Sequence, residues 1–393
     1  MFDSITNHRS TVRACIATLA LLAACADSTT KPFSATESAS RASLNADADV
    51  GAVFVTTNAA SGNAVVAFAR GSDGALTPSG SFATGGLGIG GTIDPLASQS
   101  ALALSDDNRR LYVVNAASNS VSTFAVSGAA LTLLGTVPSA GTRPVSVTIS
   151  RGRLFVLNAA SNSIAELALR ADGTPVQSPV ATATLSSPSS GASTISVSPD
   201  GHFVVVTERA ANTLDVFTVA PDGSLSAPAT THSNGGTPFG FEFTPRGQAI
   251  VSEAAGAAPN GAVSSYDLNA DGSLSVVSRS MSTQQAATCW LVVSKDGRLA
   301  FAVNSGSGSI AAFGIGADGS LDLLSADGRT GVTGAGTAPI DLGLSRNGQF
   351  LYVLNAAAGT VGGFSVGRDG SLASISGATG LAPASGLQGL AAY

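Results

Sequence analysis

Charged residues are scarce in this chain of 393 residues, making up 11% of it against about 25% in an average soluble domain. Aromatic residues account for 5%, and the only lysines are Lys31 and Lys295. The small stock of Glu, Lys and Arg disfavours surface helices. Because the net charge is −6 and no basic surface is evident, the sequence predicts no nucleic-acid partner.

The N-terminal apolar run is too short to span a membrane. It covers Ala14–Ala24 and follows a polar stretch that contains Arg9 and Arg13. This order of a basic and then an apolar region is typical of an export signal. The segment LAAC, which ends at Cys25, resembles the bacterial lipobox, and this implies cleavage before Cys25 and a lipid on its sulfur. Cleavage at an ordinary small-residue site is the alternative.

Three N-terminal predictions follow. Residues 1–24 form a lipoprotein signal peptide, Cys25 carries the lipid, and a Ser/Thr/Ala-rich linker continues to residue 49. Loss of residues 1–24 removes two Arg and one Asp, leaving 17 basic and 24 acidic residues and a charge of −7. Cys289 is then the one free thiol, so no intrachain disulfide is expected. We expect the mature protein in the cell envelope, at the periplasmic side or surface of the outer membrane.

A repeat of about 50 residues runs through the remainder of the chain. Each copy contains an apolar segment that ends in Asn or Glu. The seven end residues are Asn58, Asn115, Asn158, Glu208, Glu253, Asn304 and Asn355. An apolar segment precedes most copies, and an apolar anchor and an Asp-Gly pair follow most of them. Asp-Gly is typical of tight hairpins, so each unit predicts four antiparallel strands, A to D.

Four-stranded units of this length are typical of β-propeller blades. Helical periodicity is missing. The first unit begins at Val50 without a strand A, whereas the chain ends with a lone A-type segment, Gly386–Ala392. We therefore predict an all-β fold over residues 50–393: a seven-bladed β-propeller of four-stranded antiparallel blades, with the ring closed by the C-terminal strand.

The strand ends LYVVN and LYVLN and the SPDG-like and DGSL turns resemble those of lactonase-type seven-bladed propellers. This family includes bacterial 6-phosphogluconolactonases, fungal carboxymuconate-cyclising enzymes and YVTN-repeat surface proteins. The resemblance covers about residues 50–393. In the family, some blades open strand A with Arg-Pro-x-His, and the His belongs to a central polar site. Here Arg143 and Pro144 match, but Ser146 stands in place of the His.

Candidate site residues follow from the layout of a propeller. The B–C and D–A loops share one face, here called the loop face, and the A–B and C–D turns share the opposite turn face. Ligands of propellers usually bind at the loop face. The catalytic candidates are Glu208, Glu253, Asp341 and His232, the last placed in a D–A loop. The ligand-binding candidates are Arg143, Arg209, Trp290 and Gln388.

Each candidate has a structural alternative. The strand-end Asn residues could cap their own loops. Trp290 could floor the channel for a stacked ligand or plug it as packing. Asp341 could be satisfied by backbone groups, His232 could be a solvated loop residue, and Arg209 could pair with Glu208 or solvent. No Cys/His spacing suits zinc, and no metal or cofactor is predicted; calcium is the ion that Glu and Asn oxygens would suit.

Two functions compete. The favoured one is a lipid-anchored envelope propeller that binds a protein, a glycan or a small molecule and keeps a degenerate lactonase-type site. The alternative is a lactonase-like hydrolase of a non-phosphorylated sugar or aromatic-acid lactone. Hydrolysis would need a base or a metal to activate water and a group to stabilise the oxyanion, for which Arg143 and Arg209 are the candidates.

Overall fold

The computed structural model of the protein describes residues 50–393. These residues form 29 β-strands and no α-helix, so none of them belongs to a helix long and apolar enough to cross a membrane. The predicted signal peptide, the lipid at Cys25 and the linker to residue 49 lie outside the described residues. The predicted all-β fold is confirmed.

The strands form seven antiparallel sheets, one per blade. Blade 1 contains β1 (Gly51–Thr56), β2 (Ala64–Arg70), β3 (Leu76–Ala83) and β29 (Gln388–Ala392), and blade 2 contains β4 (Leu102–Leu104), β5 (Arg110–Asn115), β6 (Ser120–Ser127) and β7 (Ala130–Pro138). Blade 3 contains β8 (Pro144–Ser150), β9 (Arg153–Asn158), β10 (Ser163–Ala168) and β11 (Ala181–Thr184). Blade 4 contains β12 (Ala192–Val197), β13 (Phe203–Glu208), β14 (Thr213–Thr218) and β15 (Ala229–His232).

Blades 5 to 7 follow the same order. Blade 5 contains β16 (Pro238–Phe243), β17 (Gln248–Glu253), β18 (Ala262–Leu268) and β19 (Leu274–Ser282). Blade 6 contains β20 (Thr288–Val293), β21 (Leu299–Asn304), β22 (Ser309–Ile315), β23 (Leu321–Leu323) and β24 (Gly331–Val332). Blade 7 contains β25 (Pro339–Leu344), β26 (Phe350–Asn355), β27 (Thr360–Val366) and β28 (Leu372–Ala378). In blade 6, strand D is split, because both β23 and β24 pair with β22.

The C-terminal strand closes the ring, as predicted. Strand β29 pairs antiparallel with β1 and supplies strand A of blade 1. Beyond it, the ring of Tyr393 stacks on Phe54 with centroids 6.3 Å apart. The backbone N–H of Tyr393 donates to the Ala52 carbonyl at 3.0 Å, and its hydroxyl donates to the Gly128 carbonyl of blade 2 at 2.9 Å. The last residue therefore fastens blade 1 to blade 2.

Apolar anchors on strand C hold each blade together. All six anchors that the repeat predicts are at most 3% exposed: Phe68, Phe124, Leu167, Phe217, Phe313 and Phe364. Burial of one such side chain stabilises the fold by about 1.5–3 kcal/mol. In blade 5, where the repeat is degenerate, Tyr266 is fully buried on strand C instead.

The Asp-Gly turns between strands C and D form as predicted. In each, Asp Oδ1 accepts the backbone N–H of the residue two positions later, as from Asp73 to Ala75 at 3.0 Å. The glycines have φ between 80° and 89°, a left-handed conformation that glycine adopts without steric cost. These turns lie on the turn face.

The strands A line the central channel. Strands β29, β4, β8, β12, β16, β20 and β25 contact one another in a closed ring. Six of them carry a β-bulge near the loop-face end of their pairing with strand B. The residues that the bulges leave out of register are Val145, Ser193, Phe239, Gly240, Cys289, Trp290, Asp341 and Gly389. A bulge frees backbone groups from the sheet, so these groups can bond to something within the channel.

Candidate functional site

A chain segment closes the loop-face end of the channel. Residues 94–100, from the loop between β3 and β4, bond to or pack against the other six inner strands. Three of them are in the left-handed region, with φ of 46° at Asp94, 52° at Ala97 and 61° at Ser100. We call residues 94–100 the plug.

Gln99 fixes the plug against the bulged strands. Its side-chain amide donates to the Leu291 carbonyl at 2.8 Å, and its Oε1 accepts the Leu291 N–H at 3.0 Å. Its backbone N–H donates to the Ser193 carbonyl at 3.3 Å. Gly240 makes room for this contact, because a Cβ there would clash with Oε1 of Gln99. The absence of a side chain at residue 240 is thus a requirement of the plug.

Trp290, which precedes Leu291 on strand A of blade 6, also holds the plug. Its Nε1–H donates to the Ser98 carbonyl at 2.8 Å, and its ring meets Phe239 edge to face at 4.9 Å. The residue is 1% exposed. This geometry fits the packing alternative, because no face of the ring is open to a stacked ligand. Its neighbour Cys289 is buried too, and burial raises the pKa of the thiol to about 12, so the thiolate is suppressed.

Four polar side chains converge at the loop-face side of the plug: Asp94, which is the first residue of the plug, and three of the predicted ligand-binding residues. Gln388 Nε2 donates to Asp94 Oδ1 at 2.9 Å and to the Ser98 carbonyl at 3.1 Å. Arg143 Nη2 donates to the Pro95 carbonyl at 3.0 Å. Arg209 is near enough for its charge to act on Asp94. We call Asp94, Arg143, Arg209 and Gln388 the mouth cluster.

The mouth cluster combines a titrating acid with polar atoms that lack partners. Burial raises the pKa of Asp94 to about 7, against the opposing effect of its hydrogen bonds and of the Arg209 charge. Among the described residues, Nε of Arg143, Nε of Arg209 and Oε1 of Gln388 are buried without a hydrogen-bond partner. Buried polar groups are nearly always paired in native proteins, and three of the ten unpaired side-chain atoms within residues 50–393 lie in this cluster.

A cavity of about 460 Å³ occupies the turn-face end of the channel. Gln99 and Ser100 of the plug form part of its lining, and Glu242 is on its wall. Lys295 and Arg346, from the A–B turns of blades 6 and 7, line it where it meets solvent. The plug therefore separates the mouth cluster from this cavity.

Asp341 is a carboxylate of the channel wall that holds backbone groups. Its Oδ1 accepts the Leu342 N–H at 2.9 Å and its Oδ2 accepts the Leu390 N–H at 3.0 Å, with a further backbone bond from Ser100. Burial nevertheless raises its pKa to about 7. Asp341 thus joins blade 7, the closing strand and the plug. These bonds fit the alternative in which backbone groups satisfy its carboxylate.

Glu242, on strand A of blade 5, is the second carboxylate of the channel wall. Its Oε2 accepts the Val293 N–H at 2.8 Å. Burial raises its pKa to about 7, and the charge of Asp341 acts in the same direction. Glu242 is not among the residues predicted from the sequence, although its place between Phe241 and Phe243 on an inner strand is a visible signal.

The strand-end residues point away from the channel, into their own blades. Asn158 donates from Nδ2 to the Ser139 carbonyl at 3.0 Å, in the loop that enters its blade. Glu253 accepts the Gly235 N–H at 2.9 Å from the equivalent loop and the Ser264 hydroxyl of strand C at 2.5 Å. These bonds fit the capping alternative, in which the residues repeat because the blades repeat.

Glu208 lies beside the carboxylate of Asp215, which is not among the residues predicted from the sequence. Burial and then the hydrogen bond and negative charge of Asp215 raise the pKa of Glu208 to about 8. Asp215 itself accepts the Ser186 N–H at 2.7 Å. Arg209 does not pair with Glu208; within residues 50–393 the ion pairs are Arg153–Glu166 and His202–Asp200.

The predicted position of His232 is wrong. Rather than lying in a D–A loop, it is the last residue of β15, where it pairs with Thr213 and is exposed. Strands C and B of blade 4 separate it from the channel. Of the four catalytic candidates, only Asp341 therefore lies on the channel wall. Within the described part of the chain, no group of three or more His, Cys, Asp or Glu could hold a metal ion.

Comparison with known proteins identifies the family. The model of the lactonase seven-bladed β-propeller family matches residues 81–190, 176–256 and 254–382. The chain belongs to this lactonase family. A search of curated proteins finds no match.

Solved structures of lactonase-type propellers share the fold. The periplasmic gluconolactonase of Pseudomonas aeruginosa is 20% identical with a TM-score of 0.66, over 86% of this chain and 98% of that one. A candidate 6-phosphogluconolactonase of Bacteroides fragilis is 18% identical with a TM-score of 0.68, over 88% and 98%. A Lactobacillus plantarum protein is 18% identical with a TM-score of 0.68, over 88% and 99%. At these identities the likeness shows the fold alone.

Proposed function

We propose that this lactonase-family propeller is a lipid-anchored binding module of the cell envelope that holds a small carboxylate or lactone at the mouth cluster. The observation that carries the proposal is the convergence of Arg143, Arg209 and Gln388 on Asp94, with three buried polar atoms unsatisfied. Arginine is the side chain best suited to planar carboxyl groups. The scarcity of cations around the mouth disfavours a phosphorylated ligand.

Lactone hydrolysis is the second candidate, and the titration of Asp94 supports it. An acid with a pKa of about 7 is a suitable general base near neutral pH. In that reaction Asp94 would take a proton from a water molecule as the water oxygen attacks the lactone carbonyl carbon. The charge of Arg209 would stabilise the oxyanion of the tetrahedral intermediate. Collapse of this intermediate would break the ring C–O bond, and Asp94 would return the proton to the leaving oxygen.

One experiment separates the two functions. Gluconate binding by calorimetry and glucono-δ-lactone opening, corrected for the spontaneous rate, are measured on the full-length chain with and without calcium. Binding without turnover supports the binding module; turnover that Asp94→Asn abolishes supports the hydrolase. Arg209→Gln should weaken either by about tenfold. Asp369→Asn, on an exposed C–D turn, is the matched control. If the folded protein shows no binding and no turnover, the mouth-cluster proposal is overturned.

The anchor is tested separately, since Cys25 lies outside the described residues. Mass spectrometry of the N-terminal peptide should show a lipid on Cys25, and Cys25→Ser should move the protein from the membrane to the soluble fraction. An unlipidated N-terminus generated at another residue would contradict the lipoprotein prediction. The periplasmic location of the Pseudomonas aeruginosa gluconolactonase agrees with an exported protein.

A further inference from the structure

Four cations line one groove on the turn face, between blades 6 and 7. The groove has a volume of about 950 Å³, and its basic residues are Lys295, Arg298, Arg346 and Arg368. All four are exposed. Asp296 is the one acidic residue of the lining, so the groove carries three net positive charges in a chain whose net charge is −6.

Within residues 50–393, acidic groups act on these cations through space and not by direct bonds: the charge of Asp106 acts on Lys295, and the charge of Arg298 acts on Asp296. None of the four takes part in the two ion pairs within residues 50–393, and none donates a side-chain hydrogen bond there. Asp296 Oδ1 is already used, because it accepts the Ser294 hydroxyl at 2.6 Å and the Arg298 N–H at 3.1 Å. Partial burial lowers the pKa of Lys295, and the charge of Arg346 lowers it further. The groove thus concentrates like charges that repel one another.

The remaining lining combines polar with apolar side chains, the apolar ones being Leu299, Phe301, Phe350 and Val366. Ser294, Asn347, Gln349 and Ser365 add hydroxyls and amides between the cations. Such a recessed surface differs in shape from the flat basic patches that lie on lipid headgroups. Carboxylates spaced along a chain of hydroxylated rings would meet cations and hydrogen-bonding groups in alternation.

We propose that the groove between blades 6 and 7 binds an acidic glycan, whose carboxylates contact Lys295, Arg298, Arg346 and Arg368. This surface is independent of the mouth cluster, which lies on the opposite face. Lys295 and Arg346 also line the channel cavity, so the groove and the channel meet at these two residues. The exposed cations predict that binding weakens with rising salt.

Lys295 makes a site-specific test possible, because it is the one lysine within residues 50–393. The full-length chain is acetylated with an isotope-coded reagent, and the rates at Lys295 and at Lys31 are compared by mass spectrometry. Oligogalacturonate is expected to slow acetylation of Lys295 by about fivefold while Lys31 is unchanged. Dextran, which carries no charge, should protect neither lysine.

Charge variants decide whether the groove is responsible. The double change Arg298→Gln and Arg368→Gln should abolish the protection while leaving the unfolding transition in place. Arg329→Gln removes an exposed charge elsewhere in blade 6 and should leave protection intact. Failure of oligogalacturonate to protect Lys295, protection by phosphatidylglycerol vesicles alone, or protection that survives the double change would each overturn the proposal. None of these results depends on the mouth cluster.

Discussion

The two ends of the channel are built from the same inner strands but differ in how their charges are used. At the loop-face end, Arg143 bonds to the plug and Asp94 accepts a bond from Gln388, so the charged groups hold a chain segment. At the turn-face end, Lys295 and Arg346 line an open cavity without such bonds. One end is occupied by the protein itself, and the other faces solvent.

This difference shows that a propeller channel is not symmetrical. The bulges at the loop-face ends of the inner strands release backbone groups, and the plug uses them through Gln99 and Ser98. The inner strands have no corresponding bulge near the turn face. Changes at the plug should therefore alter stability, whereas changes at the turn face should alter binding.

Gly240→Ala should have the largest effect. The added Cβ would clash with Oε1 of Gln99 and crowd the Cys289 carbonyl, so the plug would have to shift. We expect the free energy of unfolding to fall by about 3 kcal/mol in chemical denaturation. Gly135→Ala is the control, because a Cβ there meets nothing within 4 Å. Equal stability of the two variants would show that the plug does not require Gly240.

Asp341→Ala tests the bonds by which this carboxylate joins blade 7 to the closing strand and the plug. The change removes the acceptor of the Leu342 and Leu390 N–H groups. It also requires an alanine to adopt the left-handed conformation of this residue, with a φ of 50°. We expect a loss of about 2 kcal/mol in the free energy of unfolding. Asp322→Ala, on the exposed part of β23, should change it by under about 0.5 kcal/mol. A neutral Asp341→Ala would mean that the ring closes without this carboxylate.

The pH dependence of stability should report on Asp94. Its folded pKa of about 7 exceeds the value of 3.8 for an unperturbed aspartate. The neutral carboxyl therefore stabilises the fold fully below about pH 4, and this contribution is lost as the pH rises towards 7. Denaturation at pH 4.5 and 5.5 should show a decrease larger by about 1 kcal/mol in the wild type than in Asp94→Asn. Parallel pH profiles would contradict the raised pKa.

The smallest effect should come from the pair of changes that compares the two ends directly. Arg143→Gln removes a bond to the Pro95 carbonyl and should cost about 1 kcal/mol. Arg346→Gln relieves repulsion of Lys295 and should leave stability within about 0.5 kcal/mol of the wild type. Thermal unfolding of both variants in one buffer makes the comparison. A greater loss in Arg346→Gln would reverse our assignment of the two ends.

The blade repeat was readable in the sequence because it depends on local chemistry. Asp-Gly pairs set the C–D turns, apolar alternation marked the strands, and the unpaired segment at the C-terminus predicted the closure by β29. Arg143, Arg209, Trp290 and Gln388 could also be selected, since each occupies a position near the loop-face end of a blade. Their convergence on residues 94–100 could not be predicted from the sequence, because this loop carries no repeat signal.

The number of blades, the strand order and the way in which the ring closes follow from the local sequence, since turn chemistry and hydrophobic alternation act within about 50 residues. Which polar groups face the channel depends instead on the folded structure. Glu208 and Glu253 turn into their blades, whereas Asp94 and Glu242 reach the channel ends. That outcome depends on bulges and on contacts between residues nearly two hundred positions apart, such as Gln99 and Leu291. No local pattern encodes such contacts.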